Sequence, residues 1–407
     1  MANKMLAAVL AIGLAALLIV AGCVSEPETP TTPTTEGAEV GVTYSQGVGP
    51  MPMLLSTGEI DGYIAWQPFV EIATVSGIGK VASYSQDLPP QDMWKDHPCC
   101  VVVTRDDFAA EHADTVNAVS ALATLSNQYV NEHQNESAEI VADWLVGKGN
   151  FTYGDVSVSS VDVLEKAIPT IKFTSEPSEK WMEGVDLFVD AQAELGYLTG
   201  SLKDTTKEDR RALIFNTQPY TEGTKMIDAG EIATPATFDK FGIGYLMSDH
   251  HASLFVAIKN WEYFEENYGI ALKPKDLTQS RPEALELIVN GEKIADVTLV
   301  SGAAGPALMQ LAATDNIQMA WVGAPPAISA IDKGTPIKIV QPVNTEGSGL
   351  VVAASAPVND WPTFVDWANS RAAEGKPLKI AAPLKGSIQD VMLKFALKDS
   401  GLVVKEV

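Results

Sequence analysis

The sequence predicts an α/β protein of two lobes, and three observations carry that prediction. Its 407 residues are too many for one ordinary hydrophobic core. Short apolar runs alternate with helical patterns along most of the chain, the signature of α/β domains with mainly parallel sheets. The composition, 46% hydrophobic and 20% charged, is that of a globular protein.

Taken in order, residues 60–66 read as a strand, and Pro68 suits the first turn of the helix after it. Residues 99–103, Cys-Cys-Val-Val-Val, read as a buried strand. Residues 110–134 form a long helical pattern with Val116, Val119, Leu122 and Leu125 on one face. Residues 156–171 and 180–200 look helical too. A strand at 242–247 precedes a helix at 252–264, and further strands fall at 294–300, 317–322, 337–342 and 349–354. Residues 361–373, 378–382 and 387–400 give helix, strand, helix.

The formal net charge of −24 argues against nucleic acid, which needs clustered Lys and Arg, and disfavours an anionic membrane surface. It does not exclude a buried anion, because in a pocket local amide dipoles outweigh distant, screened charges. Lys4, the apolar run 5–21 and the box Val20-Ala21-Gly22-Cys23 predict a lipoprotein signal whose Cys23 takes the lipid. The alternative is an uncleaved single span. Residues 24–40 are a Thr/Pro-rich stalk with little to bury. Cys99 and Cys100 remain, and adjacent side chains diverge in an extended chain, so no disulfide framework is expected.

Residues 241–257, with Phe-Gly-Ile-Gly-Tyr-Leu-Met-Ser-Asp-His-His-Ala-Ser at their start, resemble the opening strand and helix of nitrate/sulfonate/bicarbonate/taurine-type solute-binding proteins of ABC importers. Residues 320–326 (Ala-Trp-Val-Gly-Ala-Pro-Pro), 345–352 and 376–390 resemble the succeeding segments of that family, up to the first strand and helix of its second lobe. The remainder lies at the front. Residues 54–62 (Leu-Leu-Ser-Thr-Gly-Glu-Ile-Asp-Gly) resemble the second-lobe helix and strand, 66–69 the next helix start, and 96–103 the return strand into the first lobe.

The resemblance implies a periplasmic-binding-protein-like fold of type II, with a ligand cleft between lobes and the halves of the chain in circularly permuted order. Its expected boundaries are 1–23 signal, 24–40 linker, 41–79 second part of lobe two and 80–200 C-terminal part of lobe one. Residues 201–234 would bridge, 235–355 would be the N-terminal part of lobe one, and 356–407 the first part of lobe two. Val403–Val407 should then lie beside Val40–Tyr44. The alternative is two half-proteins that do not dock.

The resemblance also implies binding and delivery rather than catalysis. A small anionic or organic solute would be captured by lobe closure outside the cytoplasm and passed to the permease and ATPase subunits by a lipid-anchored monomer without a cofactor. A pyrimidine binder of the thiamine-precursor type, a metal-dependent surface enzyme or a rearranged remnant are the other readings.

Candidate ligand contacts come from helix starts, whose free N–H groups favour anions. Gly386 and Ser387 open a helix, and Ser387 is either a contact or an ordinary N-cap. Gln389 lies in its first turn. Gly302 and Ala303 belong to a small-residue loop that is either an anion cradle or a tight turn. Gly323 ends a strand, and Gly347 and Ser348 lie near the first hinge. Trp66 and Gln67 offer an apolar wall and an amide, unless Trp66 is core. Ser248, His250 and His251 precede a helix, and the two histidines are read as cleft-facing donors. Adjacent His residues seldom converge on one ion and no H-x-x-x-H or C-x-x-C spacing supports them, so no metal is expected. Walker, dinucleotide and G-x-S-x-G motifs are lacking.

Overall fold

The computed structural model describes residues 37–407; the signal, Cys23 and most of the stalk lie outside the described residues. Two large sheets organise these residues. The first has six strands in the order Val403–Glu406, Glu39–Tyr44, Leu378–Ala382, Gly62–Trp66, Ser348–Ala353, Gly79–Tyr84. The second has seven, in the order Ile337–Pro342, Cys100–Arg105, Met319–Gly323, Lys240–Leu246, Glu292–Gly302, Ala284–Val289, Ile270–Pro274.

The sheets are mixed rather than mainly parallel. Three of five pairings are parallel in the first sheet, and two of six in the second. Part of the reason is a hairpin that the strand expectations omit. Asn290 and Gly291 have φ of 52° and 78°, the left-handed pair that turns Ala284–Val289 back onto Glu292–Gly302.

Val403–Glu406 lies parallel to Glu39–Tyr44, Val403 opposite Glu39 and Glu406 opposite Val42. The two segments are neighbouring strands rather than one continuous strand. Gly79–Tyr84 and Ser348–Ala353 belong to the first sheet, so lobe two extends beyond the expected limits of 41–79 and 356–407. The chain crosses between sheets twice, over 85–99 and over 343–347.

Several helices differ from expectation at their ends. The pattern at 110–134 is broken at His112 and His133 into Asp106–Glu111, Ala113–Glu132 and Gln134–Val146. At 156–171 the first four residues, Val156–Ser159, are a strand paired with Asn150–Tyr153, because Val and Ser alternate there with period two. The helix begins at Ser160, with the Ser159 hydroxyl accepting the Asp162 N–H. The bridging segment is built rather than loose: it holds helices Lys207–Ile214 and Gln218–Ala229. Gly223 lets the second of these approach the helix Ala113–Glu132, where a Cβ would stand 2.9 Å from the Ala121 nitrogen. Among the described residues, no helix is long and apolar enough to cross a membrane.

A cavity where strand ends and helix starts converge

Parallel strands bring their carboxyl ends to one edge, where the helices after them begin, and such edges are where α/β folds place ligands. Here both sheets present such edges to one cavity. Its walls include Leu246 and Gly323 at strand ends of the second sheet, and Trp66 and Pro383 at strand ends of the first. Its free volume is small, about 50 Å³.

Four helix starts border it. Ser248 precedes the 3₁₀ turn Asp249–His251, which leads into Ala252–Lys259. Ala304 precedes Gly305–Ala313, Gly323 precedes Ala324–Asp332, and Ser387 precedes Ile388–Asp399. Ala304 and Gly323 offer no side-chain cap, because neither has an oxygen to give. No Lys or Arg among the described residues lines the cavity.

Of the expected contacts, Trp66, Ser248, His250, His251, Gly323, Ser387 and Gln389 line the cavity. The others stand elsewhere. Gln67 is fully buried behind Trp66, and its amide donates to Thr170 Oγ1 at 3.1 Å. Ser348 is also buried; its hydroxyl accepts from Gln389 Nε2 at 2.9 Å and so holds that side chain. Gly302 and Ala303 give way to Ala304, Gly305 and Pro306, since a Cβ on Gly302 would lie 2.5 Å from Leu308 Cγ. Gly386, at φ 80°, donates its N–H to Asp390 Oδ2 at 2.8 Å and faces a neighbouring groove. Ser387 does what an N-cap does, accepting the Asp390 N–H at 3.2 Å, and also lines the cavity.

Gly347 lies in the second crossing and joins the lobes. Its carbonyl accepts the Gln67 N–H at 3.0 Å and the His250 Nε2–H at 2.8 Å. Ser248 Oγ donates across the same seam to the Gln67 carbonyl at 3.1 Å. A carbonyl only accepts, so His250 must carry a proton on Nε2, and in the neutral ring its Nδ1 presents a lone pair. That Nδ1 lies 3.0 Å from Cys99 Sγ. His251 has the same tautomer for the mirrored reason. Its Nδ1 accepts the Leu246 N–H at 3.0 Å, leaving an Nε2–H that is buried and has no partner. Thus His250 spends its donor on the hinge, and His251 keeps one unspent. The indole N–H of Trp66 also lacks a partner.

The two cysteines line the cavity, which the sequence reading assigns only to strand packing. Burial pushes the Cys99 thiol up, whereas Cys100 is pulled down by hydrogen bonding to Cys99, with smaller contributions from His250 and from the nearby His251, whose Nε2–H makes no well-formed hydrogen bond to the sulfur. Burial raises the Asp249 carboxyl to about 7, although the adjacent His250 opposes that shift.

With the geometry in place, the class is that of a two-lobed binding protein with its cleft at the strand carboxyl ends. The chain belongs to the NMT1-like family, which matches residues 44–146 and 236–407. Membership makes it a solute-binding protein of the nitrate/sulfonate/thiamine-precursor type, in a family that is generally non-enzymatic and whose members imply a small solute and an ABC transporter partner. An uncharacterized protein of Methanocaldococcus jannaschii is 42% identical over 106 residues, which is 26% of this chain and 70% of that protein. No solved structure matches the chain.

Proposed function

We propose that this protein captures a small anion of the nitrate, bicarbonate, taurine or alkanesulfonate class by closing its lobes, and delivers it to an ABC permease. The observation that carries this reading is the convergence of four helix starts on a cavity lined by Trp66 and His251, whose ring N–H groups lack partners. A buried donor without an acceptor costs about 1–3 kcal/mol, which an anion would recover. The helix dipoles would supply the favourable field without a formal positive charge. Closure would make the seam bonds of Ser248 and His250, so ligand binding biases the open–closed equilibrium.

The same reading takes the protein to act outside the cytoplasm, anchored through Cys23, with its lobes assembled from a chain whose halves are exchanged. The parallel pairing of Val403–Glu406 with Glu39–Tyr44 supports the exchange. Radiolabelled fatty acid incorporated into the wild type and not into Cys23→Ser would support the anchor; equal labelling would overturn it.

The test of the ligand class is thermal unfolding of the full chain against nitrate, bicarbonate, taurine, alkanesulfonates and pyrimidines. A tight ligand at about a hundredfold its Kd adds about 2.7 kcal/mol of stability. Stabilisation by one anion class supports the proposal. Stabilisation by pyrimidines alone would move the assignment to a thiamine-precursor binder, with Trp66 as the stacking wall. Stabilisation by neither would overturn both.

A further inference from the structure

Cys99 and Cys100 stand at the start of the strand Cys100–Arg105, His250 follows the end of the strand Lys240–Leu246, and the three meet at the cavity wall. The ligand-capable atoms of the three lie within 4.8 Å of one another, and all three residues are buried. Two thiols and an imidazole are the soft donor set that thiophilic ions select. The expectation of no metal rests on the two histidines as a pair, and that pairing is not what the fold builds. His250 turns toward the cysteines, while His251 is held by the Leu246 N–H.

A second observation is independent of this proximity. His250 has its Nε2–H fixed on the Gly347 carbonyl at 2.8 Å, which aims the Nδ1 lone pair at Cys99 Sγ. Metal-bound histidines are oriented in this way, with the far N–H spent on a carbonyl or carboxylate. The peptide carrying the thiols is equally fixed. The Cys99 N–H donates to the Asn344 carbonyl at 3.1 Å and the Cys100 N–H to Asn344 Oδ1 at 3.1 Å. The Asn344 amide in turn donates to the His250 carbonyl at 2.5 Å. One buried asparagine thus ties both halves of the cluster together.

We propose that Cys99, Cys100 and His250 form a three-ligand site for a thiophilic cation, with zinc the divalent ion whose tetrahedral geometry they fit and the fourth position open to the cavity. At Zn–S of about 2.3 Å and Zn–N of about 2.0–2.1 Å, a tetrahedral S–Zn–N angle separates sulfur and nitrogen by about 3.6 Å. The 3.0 Å between Cys99 Sγ and His250 Nδ1 therefore opens by roughly half an ångström on loading. Each thiol gives up its proton to solvent as the ion binds, so uptake releases protons. An anion captured in the cleft could occupy the fourth position; that last step rests on the anion reading above, and the cation site does not.

The test uses the full chain carrying Cys23→Ser, which leaves Cys99 and Cys100 as its thiols. The protein is reduced, stripped with a chelator and titrated with zinc against a chromophoric competitor, and in parallel with cobalt. The expected result is one ion per chain, cobalt-thiolate charge-transfer absorption, and at least a tenfold loss of affinity in Cys99→Ser, Cys100→Ser and His250→Gln. If the variants do not fold, alkylation of Cys99 and Cys100 in the folded parent protein replaces them, and zinc must protect both thiols. Binding no tighter than in the serine variants, cobalt spectra without thiolate absorption, or alkylation indifferent to zinc would overturn the site. Ligand stabilisation measured in the stripped protein separates the two proposals. An anion that stabilises protein unable to bind zinc refutes the cation site alone. Zinc binding with no anion response refutes the anion reading alone.

Discussion

Gly347→Ala should be among the most damaging single methyl additions in this chain. Gly347 has φ 78°, where an L side chain costs about 1–2 kcal/mol. Its Cβ would also stand 2.7 Å from Ile171 Cγ1 and 2.8 Å from both Cε1 and Nε2 of His250. Those neighbours are packed on their far sides: Ile171 is 3% exposed and His250 2%. Overpacking of this kind adds about 1–3 kcal/mol. The two costs together come to about 2–5 kcal/mol, or about 3–6 °C in Tm for a cooperative unit of this size. Gly77→Ala supplies the control. Gly77 has nearly the same φ, 77°, but its Cβ would meet nothing within 4 Å, so it carries the backbone cost alone. Urea unfolding of the two variants isolates the packing cost as their difference. Equal destabilisation within about 0.5 kcal/mol would refute the claim that the hinge carbonyl and the His250 ring are fixed in contact.

Two further perturbations test the polar framework. Lys394→Met should destabilise by about 3 kcal/mol in urea unfolding, because it removes the cation beside the fully buried Asp390, although the Tyr44 and Tyr197 hydroxyls and the Gly386 N–H still donate to that carboxylate. Lys394 Nζ lies 3.3 Å from Asp390 Oδ1 and donates to Glu406 Oε1 at 2.6 Å and the Tyr44 hydroxyl at 2.8 Å; adding Asp390→Asn should recover part of the loss, and no recovery would refute the pairing. For acid, Asp96 is held at about 2 by hydrogen bonds from Lys180 and then Lys172, and Glu406 at about 2 by Lys394 and then Lys385. Both lie below the ordinary carboxyl values, so the native state binds fewer protons than the unfolded chain, and their stabilisation is present above about pH 4.5 and lost as pH falls toward 2. Tm plotted against pH should slope less over that window in Asp96→Asn with Glu406→Gln than in the parent, and an unchanged slope would refute it.

Local chemistry made much of the fold legible. Apolar runs bounded by Gly or Pro, such as 60–66 and 317–322, lie where strands Gly62–Trp66 and Met319–Gly323 form. Where the reading failed, a shorter-range signal was outweighed by a longer pattern. The Asn290-Gly291 turn is visible as a dipeptide, yet the strand Ala284–Val289 before it is absent from the expectations. At 156–159 a period-two run sits against a helical pattern, and only its pairing with Asn150–Tyr153 decides the matter. The lobe boundary was misplaced for a different reason. Ser348–Ala353 and Gly79–Tyr84 each stand beside a crossing, and which sheet receives them depends on partners far away in sequence.

The cavity divides along the same line. Residues such as Ser387 and Gly323 could be named because a strand end leading into a helix start is a local event. The cysteines could not, because the rule that adjacent side chains diverge applies within a strand, and Cys99 stands one residue ahead of Cys100–Arg105. There Pro98 bridges to Thr345 and the Asn344 carbonyl takes the Cys99 N–H, so the hinge sets one side of the backbone, while on the other the Cys99 carbonyl accepts the Ala324 N–H at 2.8 Å. This frees Cys99 from the alternation and lets both sulfurs reach His250. The hinge that closes the lobes and the peptide that presents the thiols are therefore one piece of structure, tied through Asn344 and Gly347. A change that alters closure should alter the reactivity of the thiols with it.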